Sequence, residues 1–206
     1  MTRQRPPRSD DPRRAILDAS LSLISEGGIG ALSMREVARR AGVTHGAPYH
    51  HFEDRAAVLA AIAHEGFGFL ERGMRSAVAA AGDPIARFEA AGRAYFEFAL
   101  AFPAHFRVMF RPELADGGAV PTMDTSSMGA FGVLLEVVAA CQAAGIAKGL
   151  DPKALVLTGW STAHGLAALW IDGPLIGKAA LGDDPAALAR TVGATMGRLL
   201  ASTVRP

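Results

Sequence analysis

From Ser33 to Phe52 the sequence reads SMREVARRAGVTHGAPYHHF, a run whose side chains suit a polyanionic surface. Arg35, Arg39 and Arg40 offer cationic donors, while Ser33, Thr44, His45, Tyr49 and His51 offer neutral ones. Such groups bond phosphate oxygens and base edges. Their spacing requires two short helices and a tight turn. Val37, Ala38 and Ala41 put apolar side chains on one face of the first helix and leave the arginines to solvent. Ser33 is its expected N-cap, with Glu36 three residues on completing a capping box. Gly42 stands where a sharp turn needs a positive φ. Val43 plugs the corner, and Thr44 caps a second helix spanning about Thr44 to Tyr49. This is the pattern of a helix-turn-helix, whose second helix enters the DNA major groove.

Other chemistry fits the same residues less well. His50 and His51 are adjacent, so on a helix they diverge by about 100° and cannot chelate one metal together. His45 and His64 have no partner at ligand spacing, and no metal is expected. Nothing resembles a nucleophile elbow or a glycine-rich phosphate loop, so no catalytic residue, enzyme activity or cofactor is expected. Pro48 lacks the N–H that would close the first turn after a Thr44 cap, which leaves the start of the second helix open.

The chain has 206 residues, is 50% hydrophobic and carries a net charge of +1, values of a folded protein with room for a small and a larger module. The charge is uneven. Arg3, Arg5, Arg8, Arg13 and Arg14 face only Asp10 and Asp11 at the start. Such an arm either adds phosphate and minor-groove contacts or serves as a frayed solubilising tail. The single cysteine, Cys141, fits a reducing compartment, and no apolar leader follows the opening arginines. A cytoplasmic, nucleoid-associated protein is expected. The weakly polar stretch from Leu155 to Ile176 is broken by His164, Asp172, glycines and a proline, which argues against a membrane span.

Periodicity predicts an all-α chain of about nine helices, a small N-terminal helix-turn-helix domain followed by a larger helical one. Asp11-Pro12, Asp83-Pro84, Asp151-Pro152 and Asp184-Pro185 each read as a cap followed by a proline at the first helical position. A long helix is expected from Asp54 towards Gly82, a break at Pro103, and a loop over residues 112–122. The expected divisions are a disordered basic arm at 1–10, a DNA-binding domain at 11–56, and an effector-binding and dimerisation domain at 57–206.

On Ile16-Leu17-Asp18-Ala19, Leu23, Gly27-Gly28, Leu32 to Ala38, Ala41-Gly42-Val43-Thr44 and Tyr49-His50-His51-Phe52, the sequence resembles the TetR family of bacterial transcriptional repressors. The resemblance spans roughly residues 12–60 and implies a three-helix DNA-binding domain followed by a larger helical ligand-binding and dimerisation domain. It implies that Thr44, His45 and Ala47 face base edges, with His45 at a purine N7 or O6 and Ala47 on a thymine methyl. Gly46 lets the backbone approach, and Tyr49 and His51 clamp phosphates. Ser33, Arg35 and Arg55 are further DNA contacts, Ser33 and Arg55 because each is near a helix N-terminus. Phe52 reads as core.

Trp160 with His164-Gly165-Leu166-Ala167 resembles the tryptophan-histidine-glycine subgroup of TetR-type effector domains. His164 then reads either as a polar contact for an effector or partner, or as a satisfied core histidine, and Gly165 as the site of a close helix crossing. Phe88, Tyr95, Phe106, Met109, Phe110, Met128, Phe131 and Trp160 either line an apolar pocket or build core. With few charges among them, a small hydrophobic or weakly polar effector is expected. Leu188, Val192, Met196 and Leu199 form an apolar stripe on the last helix, expected to join two copies. The function that follows is a ligand-responsive repressor, a homodimer on a palindromic operator. The alternative is a DNA-architectural protein without an effector.

Overall fold

The computed structural model describes residues 11–110, 125–173 and 184–203, with the side chains of 125–128 excepted. The basic arm, the 112–122 loop, Pro174 and the Met128 side chain lie outside these residues. All regular structure described is helical: α1 (Pro12–Gly27), α2 (Met34–Ala41), α3 (Arg55–Ala80), α4 (Pro84–Ala101), α5 (Pro103–Met109), α6 (Thr125–Ala143), α7 (Pro152–Ile171) and α8 (Pro185–Ala201). These eight, with short 3₁₀ turns at Ile29–Ala31 and Ala47–His50, stand against the expected nine.

Local chemistry sets most of the boundaries. The carboxylates of Asp11, Asp83, Asp151 and Asp184 accept backbone N–H bonds at 2.9–3.0 Å from Arg13, Ala86, Lys153 and Ala186. Each satisfies a donor orphaned at a helix start, beside a proline that has no N–H to lose. Gly28 and Gly42 end α1 and α2 at φ of 71° and 73°, positive values that favour glycine, and Gly42 is a left-handed cap.

The chain divides into two compact units. The first comprises residues 1–65 and 104–122, and the second residues 66–103 and 123–206. The two units meet within α3 after Glu65, and residues 104–109 of α5 belong with the N-terminal head. Ile16, Ile24, Val37, Val58, Leu59 and Ile62 are fully buried in the head. Phe52 joins them, with the Arg13 guanidinium 5.0 Å above its ring centre.

A charged cluster ties α1, α3 and α5 together inside the head. Glu65 accepts from buried His105 Nε2 at 2.9 Å with one carboxylate oxygen and from Arg14 with the other. Burial alone raises the Glu65 pKa. The hydrogen bonds from His105 and Arg14 outweigh it and hold the carboxyl below its ordinary value of 4.5. A carboxylate depressed on folding stabilises the fold above its unfolded pKa, and that contribution fades as pH falls through the lower folded one. Glu65→Gln is therefore expected to cost about 1–3 kcal/mol at pH 7. Urea unfolding should show that gap narrowing below about pH 4. An equal gap at pH 7 and pH 3.5 would exclude the carboxylate as the cause.

In the second unit α4 is the central helix, packed by α6, α7 and α8. The close approach of α7 falls at Gly159, not at Gly165. A Cβ on Gly159 would lie 3.0 Å from the Phe88 ring, whereas one on Gly165 would meet nothing within 4 Å. Gly159→Val should destabilise by about 1–3 kcal/mol through overpacking. Gly165→Ala should stabilise by about 0.5–1 kcal/mol, because a helix-interior glycine forfeits backbone entropy for no packing gain. Thermal melts of both variants check this pair, and equal shifts would contradict it.

α7 and α8 leave much of their apolar surface uncovered. Only Val156 and Ala167 of α7 are buried, while Leu157 and Leu169 are about half exposed. Among the described residues α7 alone is long and apolar enough to cross a membrane by length and composition. On α8, Leu188, Val192 and Met196 are half-buried and Leu199 is exposed.

Candidate nucleic-acid interface

α2 and the segment after it build one edge of the head. Ser33 Oγ accepts the Glu36 N–H at 3.3 Å, so the first half of the capping box forms. The second half does not. The Glu36 carboxylate turns to Arg39, taking Nε at 2.8 Å and a terminal nitrogen at 2.5 Å. At the other end, the Val43 N–H returns to the Ala38 carbonyl at 3.1 Å, closing the turn through Gly42.

The second helix is shorter and tighter than its sequence implies. Residues 47–50 form a 3₁₀ turn preceded by Gly46, and no side chain caps it, so the expected Thr44 cap is absent. Pro48 is the cause. An α-helical turn would need a Pro48 N–H bonded to the Thr44 carbonyl, and proline has none. That carbonyl takes the Ala47 N–H at 3.0 Å, and Tyr49 bonds back to Gly46 at 3.1 Å, both across three residues. The Pro48 ring is fully buried, which aims its neighbours outward.

Thr44, His45, Gly46, Tyr49 and His51 are exposed, and Ala47 is half-buried. Tyr49 and His45 meet edge-to-face with ring centres 6.4 Å apart. An open groove of about 480 Å³ runs beside them, lined by Ser33, Arg35, Glu36, Ala38, Arg39, Val43 and His45.

The arginines of this face differ in availability. Arg40 bonds Ser22 and Glu26 on α1, and Arg39 is held by Glu36. Arg55, expected to face phosphate, points its guanidinium inward, donating to the Leu32 and Ile29 carbonyls at 2.9 and 2.7 Å. It thereby ties the start of α3 to the 29–32 turn. Arg35 is exposed and has no hydrogen-bond or ion-pair partner among the described residues.

In the second unit, Tyr95, Trp160 and His164 join in one polar chain. The Trp160 indole N–H donates to the Tyr95 hydroxyl at 3.4 Å, and that hydroxyl lies 2.8 Å from His164 Nδ1. Indole can only donate, so the Tyr95 oxygen accepts from Trp160. Burial raises the Tyr95 phenol far above its ordinary range and lowers the His164 imidazole, so both are neutral at pH 7. The Phe131 ring stands edge-on to Trp160 at 6.2 Å. Phe88 packs beneath Gly159 on the same helix. Phe106, Met109 and Phe110 stand on or directly after α5, in the first unit.

Two family models match the sequence. One, bacterial regulatory proteins of the tetR family, covers residues 16–62. The other, the tetracyclin repressor-like C-terminal domain, covers residues 88–196, more than half of the chain. The chain belongs to the TetR family. Among curated TetR-like relatives, the HTH-type transcriptional regulator AcrR of Shigella flexneri is 39% identical over 62 residues, 30% of this chain and 29% of that one. The chain spans less than half the length of the curated relatives it matches. Among solved structures, a protein of unknown function from Rhodococcus sp. RHA1 is 30% identical, covers 96% of this chain and all of its own, and superposes with a TM-score of 0.76. FadR from Bacillus subtilis, solved in complex with stearoyl-CoA, shares the TetR fold with a TM-score of 0.73 at 18% identity, covering 89% of this chain and 96% of its own.

The sequence missed three features of the site: the Glu36–Arg39 fork, the inward turn of Arg55, and Gly159 as the crossing point. Only the first had a local signal, since an acid and an arginine three apart on a helix are neighbours.

Proposed function

We propose that the chain is a ligand-responsive transcriptional regulator, a repressor, that binds a palindromic operator as a homodimer. The carrying observation is the exposed edge from Thr44 to His51 beside a groove that holds the unpaired Arg35. His45 reads a base edge, Ala47 touches a thymine methyl, and Ser33, Arg35, Tyr49 and His51 hold phosphates. A head of this size contacts few base pairs, so specificity calls for two half-sites. The uncovered apolar surfaces of α7 and α8 suit the contact between two copies.

The effector site of this reading lies in the second unit, around Tyr95, Phe131, Trp160 and His164, the last two of which carry the tryptophan-histidine-glycine likeness. A neutral, hydrogen-bonded trio among aromatic rings favours an apolar molecule with a weakly polar end over a multiply charged one. The stearoyl-CoA bound by FadR makes long acyl chains sensible first probes.

Fluorescence anisotropy with intergenic DNA flanking the gene tests this directly, repeated with a free fatty acid and with an acyl-CoA. Binding to a site of twofold symmetry that weakens as ligand is added supports the reading. By linkage, calorimetry should show operator DNA weakening the ligand by the same factor. Operator binding that no apolar ligand alters would instead support a constitutive DNA binder.

A further inference from the structure

The groove of the candidate interface contains an acid, Glu36, and the helix cap does not explain its carboxylate. The cap uses only the Glu36 backbone N–H, which any residue provides. The carboxylate grips Arg39 through two nearly parallel hydrogen bonds, at 2.8 and 2.5 Å. A guanidinium engages a phosphate through the same planar fork, so the carboxylate and a phosphate compete for one set of donors. Arg39 is otherwise well placed for DNA: its side chain is 69% exposed and lines the same groove as Arg35 and His45. Arg40 bonds Glu26 and Ser22 and gives the acid no hydrogen bond, though its charge also lowers the Glu36 carboxyl. The pair is mutual, Arg39 lowering the Glu36 carboxyl and Glu36 raising the Arg39 guanidinium.

We propose that Glu36 is a positioning residue that withholds Arg39 from the DNA backbone, leaving Arg35 as the free guanidinium of the groove and limiting sequence-independent affinity. Backbone contacts strengthen binding to every sequence alike, so a second free guanidinium would tighten the hold on non-operator DNA and add no information. Withholding it keeps the base-edge contacts from being swamped. This inference rests on the reading of the face as a DNA interface.

The test uses the full chain, a fluorescent duplex of arbitrary sequence, and sodium chloride between about 50 and 200 mM. Wild type, Glu36→Gln, Arg39→Ala and the double variant are compared. Gln keeps the length and the backbone cap of Glu36 while removing its charge. The slope of log affinity against log salt should steepen by about 1 per bound chain in Glu36→Gln. Affinity should rise several-fold at the low-salt end. In the Arg39→Ala background the same change at position 36 should do nothing. Equal steepening with and without Arg39 would overturn the proposal, because Glu36 would then act through its bulk charge. So would an unchanged slope in Glu36→Gln alone. A wild-type chain whose salt-dependent DNA binding is unaffected by Arg35→Ala and His45→Ala together would remove the interface reading itself.

Discussion

Leu199→Asp is expected to separate the proposed homodimer while leaving each chain folded. Leu199 is 58% exposed on α8, so within one chain its replacement by a solvated carboxylate breaks no packing. Surface changes of that kind stay within about 0.5 kcal/mol. Buried between two copies, the same carboxylate loses its water without a partner charge, a penalty of several kcal/mol. That is more than a hundredfold in the dimer dissociation constant. Sedimentation velocity at micromolar concentration should show wild type at twice the mass of the variant, with matching thermal melts. Affinity for an operator of two half-sites should fall with it. Val192→Asp is a less clean probe, because Val192 is half-buried against its own chain. A wild-type chain that sediments as a monomer would end the proposal of a dimer.

His45→Ala and Tyr49→Phe should affect DNA binding in different ways. Removing an imidazole that bonds a base edge should cost about 1–3 kcal/mol on the preferred half-site and relax the choice at that one position. Tyr49→Phe keeps the ring that meets His45 edge-on and deletes only the hydroxyl. It should weaken binding by a similar factor on all sequences, because a phosphate bond carries no sequence information. Selection of sites from random DNA separates the two. An unchanged consensus in both variants would show that His45 does not read bases.

The reading of Arg55 illustrates what spacing along the chain can and cannot convey. Its place at the start of α3 suggested an anion-facing cation, the usual preference of a helix N-terminus. In the fold that end lies over the 29–32 turn, where Arg55 donates to the Leu32 carbonyl and to the Ile29 carbonyl, which also takes the Leu32 N–H at 3.2 Å. Buried carbonyls need donors, and a guanidinium within reach supplies two. Pro48 teaches a related lesson. The missing N–H was legible, but the tighter turn it produces depends on the ring being buried beneath the exposed edge. An exposed proline in the same place could have ended the element altogether.

By itself the sequence determined the all-helical class, the helix-turn-helix and nearly every helix start. These depend on interactions within about four residues: an aspartate capping the N–H two or three positions on, a proline at the first turn, a glycine at positive φ. The tertiary structure alone decided which polar groups meet across the fold. Glu65 finds His105 40 residues on and Arg14 51 residues back, while Tyr95 and His164 are 69 apart. No periodicity encodes such pairs, because they exist only after helix faces have packed and water has left. The same holds for the role of each arginine: chemically equivalent in the sequence, they become structural or available according to whether an acceptor of the chain lies within 3 Å of the guanidinium once the fold has formed.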